Sequence, residues 1–182
     1  ALPKSRKISL ASDQAGAPLK SDYKIGFEYS DCWVDDARLV ILNAQDAAGK
    51  GAKVLPRHEV ISVRGENGVW LIETLDRDSK KHLFQARVLV NAAGPWVSNL
   101  TDSVIDSAIS RSMRLIRGSH IVVPQLYAHD RCYLLQNSDG RIVFVIPYEE
   151  KFSLIGTTDQ EHQESLNQVI ISNDEAQYLC AS

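Results

Sequence analysis

From Asp35 to Gly51 the chain reads DDARLVILNAQDAAGKG, with Leu39, Leu42 and Ala44 toward one side of a helical pattern, an aspartate pair ahead and glycines behind. A carboxylate before the first turn accepts from N–H groups that have no partner inside a helix, and glycine readily ends one, so a helix is predicted here. Its cap is Asp35 or Asp36 and its stop is Gly49 or Gly51. The periodicity then shortens. AKVLPRHEVISV reads as a strand interrupted at Pro56, which has no N–H for a ladder. ENGVWLIETL places Asn67-Gly68, a strong hairpin signal, ahead of another strand, and KHLFQARVLVNAAG supplies one or two more. Upstream, the small residues of Ala11 to Leu19 and the aromatic run DYKIGFEYSDCW predict little regular structure before Gly26.

The second half has a different texture. After Pro95 a helix is expected from about Trp96 to Ile109. RSMRLIRGSHIVVP, RCYLLQNSD, RIVFVIPYE and KFSLIGTTD follow as four strand-like segments, parted by turn residues such as Asp139-Gly140, and predict an antiparallel sheet of their own. SNDEAQYLCAS reads as a capped terminal helix. Helix, meander and second sheet in this order predict a mixed α+β and α/β architecture, with the meander a layer on a larger sheet instead of a closed barrel.

Composition narrows the class. A chain of 182 residues with 44% hydrophobic content suffices for one substantial core or two small lobes. Its net charge of -3, from 20 Lys and Arg against 23 Asp and Glu, lacks the basic excess of a nucleic-acid binder. Cys32, Cys132 and Cys180 are odd in number, widely spaced and without a CxxC pair. They argue against a disulfide framework or a zinc site, fit a reducing compartment, and leave no metal expected. Apolar runs such as RIVFVIPY fall far short of the roughly 20 residues of a membrane helix. The first ten residues carry Lys4, Arg6 and Lys7 with no apolar stretch behind them, so no signal peptide is expected. The missing initial Met suggests a mature or excised piece.

RVLVNAAGPW, Arg87 to Trp96, is the segment that raises a chemical question, because branched aliphatics give way within four residues to Ala92, Ala93, Gly94 and Pro95. Small residues at a strand end leave room either for a packed helix or for a ligand. A helix beginning just after would turn free N–H groups and a positive dipole end toward an anion, and Pro at the first helical position serves both readings.

GFEYSDCWVDDARLV, NAAGPW, RLIRGSHIVVP and VFVIPYEEKFSLIGTTD, in this order from about Phe27 to Asp159, resemble the middle of the respiratory, FAD-dependent glycerol-3-phosphate dehydrogenases, within the wider D-amino-acid-oxidase-like flavoproteins. The resemblance implies part of a Rossmann-type FAD domain interleaved with an antiparallel-sheet substrate domain. It assigns residues 1–27 to a substrate-domain entry loop, 28–100 to the FAD domain without its N-terminal dinucleotide-binding unit, and 110–182 to the substrate domain. Carried over by position, Ala92, Ala93 and Gly94 would pass close to the ribityl and diphosphate portion of FAD. Val60 would hold the adenine through its main chain, or be an ordinary meander residue. Trp96 would flank the cofactor or staple helix to sheet. His120, in RGSHIVV, would reach the flavin and substrate and take the proton of a secondary alcohol as hydride leaves for the flavin, a task suited to imidazole near neutral pH. Ser119 and Thr158 would touch substrate, and Arg114 and Arg117 could attract its phosphate. GTTD, Gly156 to Asp159, would close over substrate with its hydroxyls, or Asp159 would simply cap the turn.

The same resemblance implies a parent enzyme that oxidises sn-glycerol 3-phosphate to dihydroxyacetone phosphate and passes electrons to quinone, as a cytoplasmic protein peripheral on the inner membrane, with room for a homodimer. Two departures qualify it. The chain contains no GxGxxG turn, which would set the FAD diphosphate on a helix N-terminus, and no later GGKLTTYR-like region. A central fragment, inactive alone, is therefore expected. An oxygen-dependent glycerophosphate oxidase and a non-catalytic ligand-binding or interaction module are the competing readings.

Overall fold

The computed structural model describes residues 2–105, 113–163 and 165–182. They form two compact units, one of Ala1–Cys32 with Leu115–Ser182 (unit 1) and one of Trp33–Arg114 (unit 2). The crossing points differ from the boundaries expected at 27 and 110. Glu28, expected in the FAD portion, lies in unit 1, where it ion-pairs with Arg6 and, at 3.3 Å, with Arg131.

Unit 2 opens with α1, Asp36–Gly49, capped as expected: the Asp35 carboxylate accepts from the Arg38 N–H at 3.0 Å. No residue of α1 is buried, and Val40 and Ile41 are more than half exposed. The strand expected through Pro56 starts only at β3, Glu59–Glu66, after Arg57 takes a positive φ of 59°. Asn67 and Gly68, with φ of 48° and 79°, make the predicted tight turn into β4, Val69–Leu75. Both central residues at positive φ match the right-handed strand twist, which asparagine and glycine tolerate best. β5, Lys81–Ala86, completes a three-stranded sheet of order β3-β4-β5. The expected strand Arg87 to Val90 does not form, and Val88 and Val90 are 74% and 79% exposed, because no neighbouring strand among the described residues pairs with them. The meander accordingly stands as its own sheet here, without the larger sheet that was expected to carry it.

The helix expected from Trp96 to Ile109 is shorter. A 3₁₀ turn spans Gly94–Trp96 and α2 spans Val97–Ser103; Asp106 to Ile109 lie outside the described residues. Val63 then meets Ile105 in a parallel bridge and donates its N–H to the Val104 carbonyl at 2.9 Å.

In unit 1 the entry segment has more order than its composition predicts. β1, Arg6–Ser9, pairs antiparallel with β2, Ile25–Glu28, around a short 3₁₀ turn at Gln14–Gly16. Long-range contacts hold this arm down: Arg131 pairs with Asp13 at 2.6 Å and the Tyr133 hydroxyl donates to the Ala15 carbonyl at 2.7 Å. The first of the four predicted strands is split by Gly118-Ser119 into β6, Ile116–Arg117, and β7, His120–Pro124. β8, Tyr133–Gln136, β9, Ile142–Tyr148, and β10, Phe152–Gly156, join β7 in an antiparallel sheet of order β7-β10-β9-β8. β11, Gln160–Glu161, pairs with β6 as a separate ribbon. α3, Asn173–Ala181, packs by Leu179, which with Val143, Val145 and Ser153 makes the small core of this unit.

Candidate functional site

His120 begins β7, on the edge of its sheet, opposite Gly156 at the end of β10. Its ring lies on the bare backbone of that glycine: a Cβ added to Gly156 would stand 2.2 Å from the His120 Cδ2 and 2.8 Å from Nε2. Only a residue without a side chain lets the imidazole occupy that space. The side chain is exposed, and among the described residues nothing hydrogen-bonds its ring nitrogens. Gly118, just upstream of Ser119, has the same role: a Cβ there would come within 2.3 Å of the Thr157 hydroxyl. The glycines of RGSH and IGTT thus make two interlocking close approaches between neighbouring strand ends.

Ser119 and Thr158, expected to touch substrate, are both buried and turned inward. Their hydroxyls donate to one carboxylate oxygen of Glu175 at 2.8 and 2.7 Å, and Thr158 also receives the Ser119 N–H at 2.8 Å. Arg117, a candidate for the phosphate, is engaged at the other oxygen at 2.6 Å. Through Glu175 these three side chains tie the β6–β7 segment, which carries His120, to the start of α3, while the Arg117 Nε is buried without a partner among the described residues. Arg114 and Asp159 are exposed.

Glu175 is the residue that sequence reasoning missed. It is the third residue of α3 and closes a capping box with Ser172, whose hydroxyl accepts from the Glu175 N–H at 3.2 Å while Glu175 accepts from the Ser172 N–H at 3.0 Å. The S-x-x-E spacing is itself the signal of a capping box. No such signal shows that the same carboxylate also reaches strands some 17 to 58 positions away. Burial works to raise its pKa, but the Ser172 N–H and the hydroxyls of Thr158, Ser119 and Ser172 outweigh it and hold the carboxyl at about 2.

In unit 2 the turn Asn91 to Trp96 is fastened by Asn91. Its side-chain oxygen accepts from the Ala93 N–H at 3.2 Å, and its amide donates to the Val97 carbonyl and the Thr101 hydroxyl at 3.1 Å each. Asn91 is the second residue that sequence reasoning missed, although an asparagine two positions before a turn is an Asx-turn signal. Gly94 has φ of 54°, and a Cβ there would meet nothing within 4 Å. Ala92 and Gly94 are exposed, Ala93 is half-buried and Trp96 is about half exposed. The space beside this turn is therefore open and not filled by α2, which fits the approach of a ligand better than tight helix packing. α2, seven residues long and preceded by a 3₁₀ turn, offers an anion little helix dipole.

Val60 is half-buried in β3, an edge strand, at a register shift between Val60 and Ser62. A bulge on an edge leaves main-chain N–H and C=O groups outside the ladder, as holding a heterocycle by backbone alone requires. Two open cavities of about 470 Å³ each lie along Leu10 to Lys24 and beside Arg57 to Glu59. Neither is lined by a predicted site residue.

A family model described as DAO, FAD dependent oxidoreductase, matches residues 2–182. D-erythritol 1-phosphate dehydrogenase of Brucella abortus (strain 2308) is 48% identical over 179 residues, covering 98% of this chain and 36% of that protein. Aerobic glycerol-3-phosphate dehydrogenase of Escherichia coli (strain K12) is 51% identical over 166 residues, covering 91% and 33%. Among solved structures, the glycerol-3-phosphate dehydrogenase of Bacillus halodurans, complexed with FAD, superimposes with a TM-score of 0.79 at 29% identity, over 96% of this chain and 36% of that one. The chain spans about a third of the length of the curated relatives it matches.

Proposed function

Because the chain belongs to the FAD dependent oxidoreductase family, we propose that the protein carrying it oxidises a polyol phosphate, sn-glycerol 3-phosphate in the first instance, to the corresponding ketone. FAD supplies the hydride acceptor when bound. In unit 2 the residues that would hold it are Ala92, Ala93 and Gly94 through their open backbone, Val60 through its main-chain groups, and half-exposed Trp96. In unit 1 His120 accepts the hydroxyl proton on an imidazole nitrogen as the carbinol carbon is oxidised, then releases it to solvent. Ser119, Thr158, Arg117 and Glu175 keep β7 in place while this happens. The observation that carries the reading is the seating of His120 on Gly156, with the ring exposed and unbonded, inside a segment that matches an oxidoreductase family throughout.

The Brucella relative gives a specific reason for a second substrate of the same class, because D-erythritol 1-phosphate pairs a terminal phosphate ester with secondary hydroxyls as glycerol 3-phosphate does. Anaerobic stopped-flow reduction of the complete flavoprotein by each substrate decides between them: the true substrate bleaches the oxidised flavin band at the higher rate per molar concentration. No reduction by either would remove the polyol-phosphate reading. Quinone is the proposed acceptor, with the protein peripheral on the inner, cytoplasmic membrane face. Reoxidation assays with a soluble quinone and with oxygen separate this from an oxidase, and sedimentation of the complete protein tests the homodimer.

A further inference from the structure

At one end of the unit 2 sheet three side chains outside this chemistry converge. His58 precedes β3, Asp76 follows β4, and His82 is the second residue of β5. The register Glu59↔Leu75 and Thr74↔His82 brings them to the same strand ends. We propose that His58, Asp76 and His82 form a binding site for one divalent transition-metal ion of the zinc class.

One ring nitrogen of each histidine and one carboxylate oxygen of Asp76 lie within 4.8 Å of one another. The two rings are tilted at 45° with centroids 5.3 Å apart. Asp76 is oriented by the backbone: one oxygen accepts the N–H groups of Asp78 and Lys80, both at 2.9 Å, which leaves the other for His82 Nε2 at 2.7 Å. His58 is tethered through Nδ1, 3.3 Å from the Pro56 carbonyl. Such outer contacts fix first ligands in place before an ion arrives. Seating an ion between His82 and Asp76 moves the ring hydrogen of His82 from Nε2 to Nδ1 and opens 2.7 Å to roughly 3.3 Å, the spacing of two donors about 2.0–2.1 Å from a tetrahedral ion.

Two imidazoles and one carboxylate select zinc, nickel or copper over the all-oxygen ions magnesium and calcium. Arg57, Arg77 and Glu59 line the adjoining open cavity of about 470 Å³, which gives access for the ion and for water as a fourth ligand. The two guanidinium groups oppose a cation over distance, so affinity comes from direct coordination, not from a field. All three ligands are half-buried and within one unit.

Calorimetric titration of zinc chloride into the complete, chelator-treated protein should show one saturable equivalent, and His58→Gln and His82→Gln should each weaken it by about 10- to 100-fold. Equal uptake by wild type and both variants, or no saturable uptake at all, would overturn the site. One measurement on the wild type serves if a variant does not fold. Cobalt(II) should give tetrahedral visible bands without the near-ultraviolet charge transfer of thiolate ligation. Absence of those tetrahedral bands, or a thiolate band reporting Cys32, Cys132 or Cys180, would refute it.

Discussion

His120 and Gly156 act as one device, and substitution tests them from both sides. His120→Ala in the complete flavoprotein should slow flavin reduction by about 10²- to 10⁴-fold, as loss of a general base does, with FAD still bound. A rate within about threefold of wild type, normalised to bound flavin, would take proton transfer away from His120. Gly156→Ala leaves the imidazole intact but puts a methyl group where the ring lies, 2.2 Å from Cδ2. It should lower the same rate while circular dichroism and flavin content stay near wild type, because the ring and not the sheet must move. Unchanged reduction by this variant would mean that the ring position does not matter. A different residue-scale logic governs Gly94. Nothing of the chain stands where its side chain would go, so the cost of Gly94→Val comes from a positive φ that a β-branched residue resists and from the ligand's approach. Bound flavin should fall before the helical signal does. Full flavin content in a folded variant would place Gly94 away from the cofactor.

Among elements, α3 shows how a helix end becomes a structural clamp. Glu175 caps its own helix and simultaneously gathers Ser119, Thr158 and Arg117, so the first turn of α3 and the β6–β7 segment are held by the same carboxylate. Its folded pKa of about 2 lies below the ordinary 4.5, so the stability it contributes is present above about pH 4.5 and is lost as pH falls toward 2. Thermal melts of wild type and Glu175→Gln should differ most near neutral pH and converge below pH 4. A gap that stays constant down to pH 3 would show that folding does not lower the pKa of this carboxyl. The capping box was legible as local spacing. The clamp was not, because no periodicity records which distant strand a capping side chain will meet.

Across the whole molecule, the many exposed apolar side chains, including Phe27, Trp33, Val88 and Val90, agree with a chain that spans a third of its relatives' length. The 182 residues by themselves should retain no flavin once mixed with FAD and desalted. They contain no GxGxxG turn for the diphosphate, and the groups proposed to meet the cofactor are exposed main chain and one tryptophan. A stoichiometric flavin band on the isolated chain would show that these contacts suffice for retention.

Local pattern determined a good deal here. α1 with its Asp35 cap, the Asn67-Gly68 turn, β4 and β5, the strands of the second sheet and α3 follow from side-chain spacing and turn chemistry acting over a few residues. The motifs in register pointed to the flavoprotein family before any coordinates. Tertiary structure decided the rest, wherever the partner is far along the chain. It paired β1 with β2, split β6 from β7 and left Val88 and Val90 without a ladder. It brought Ser119, Thr158 and Arg117 to Glu175, and laid His120 on Gly156. Hydrogen-bond partners and close backbone approaches depend on which strand ends meet in space, and that meeting is a property of the folded chain, not of any window within it.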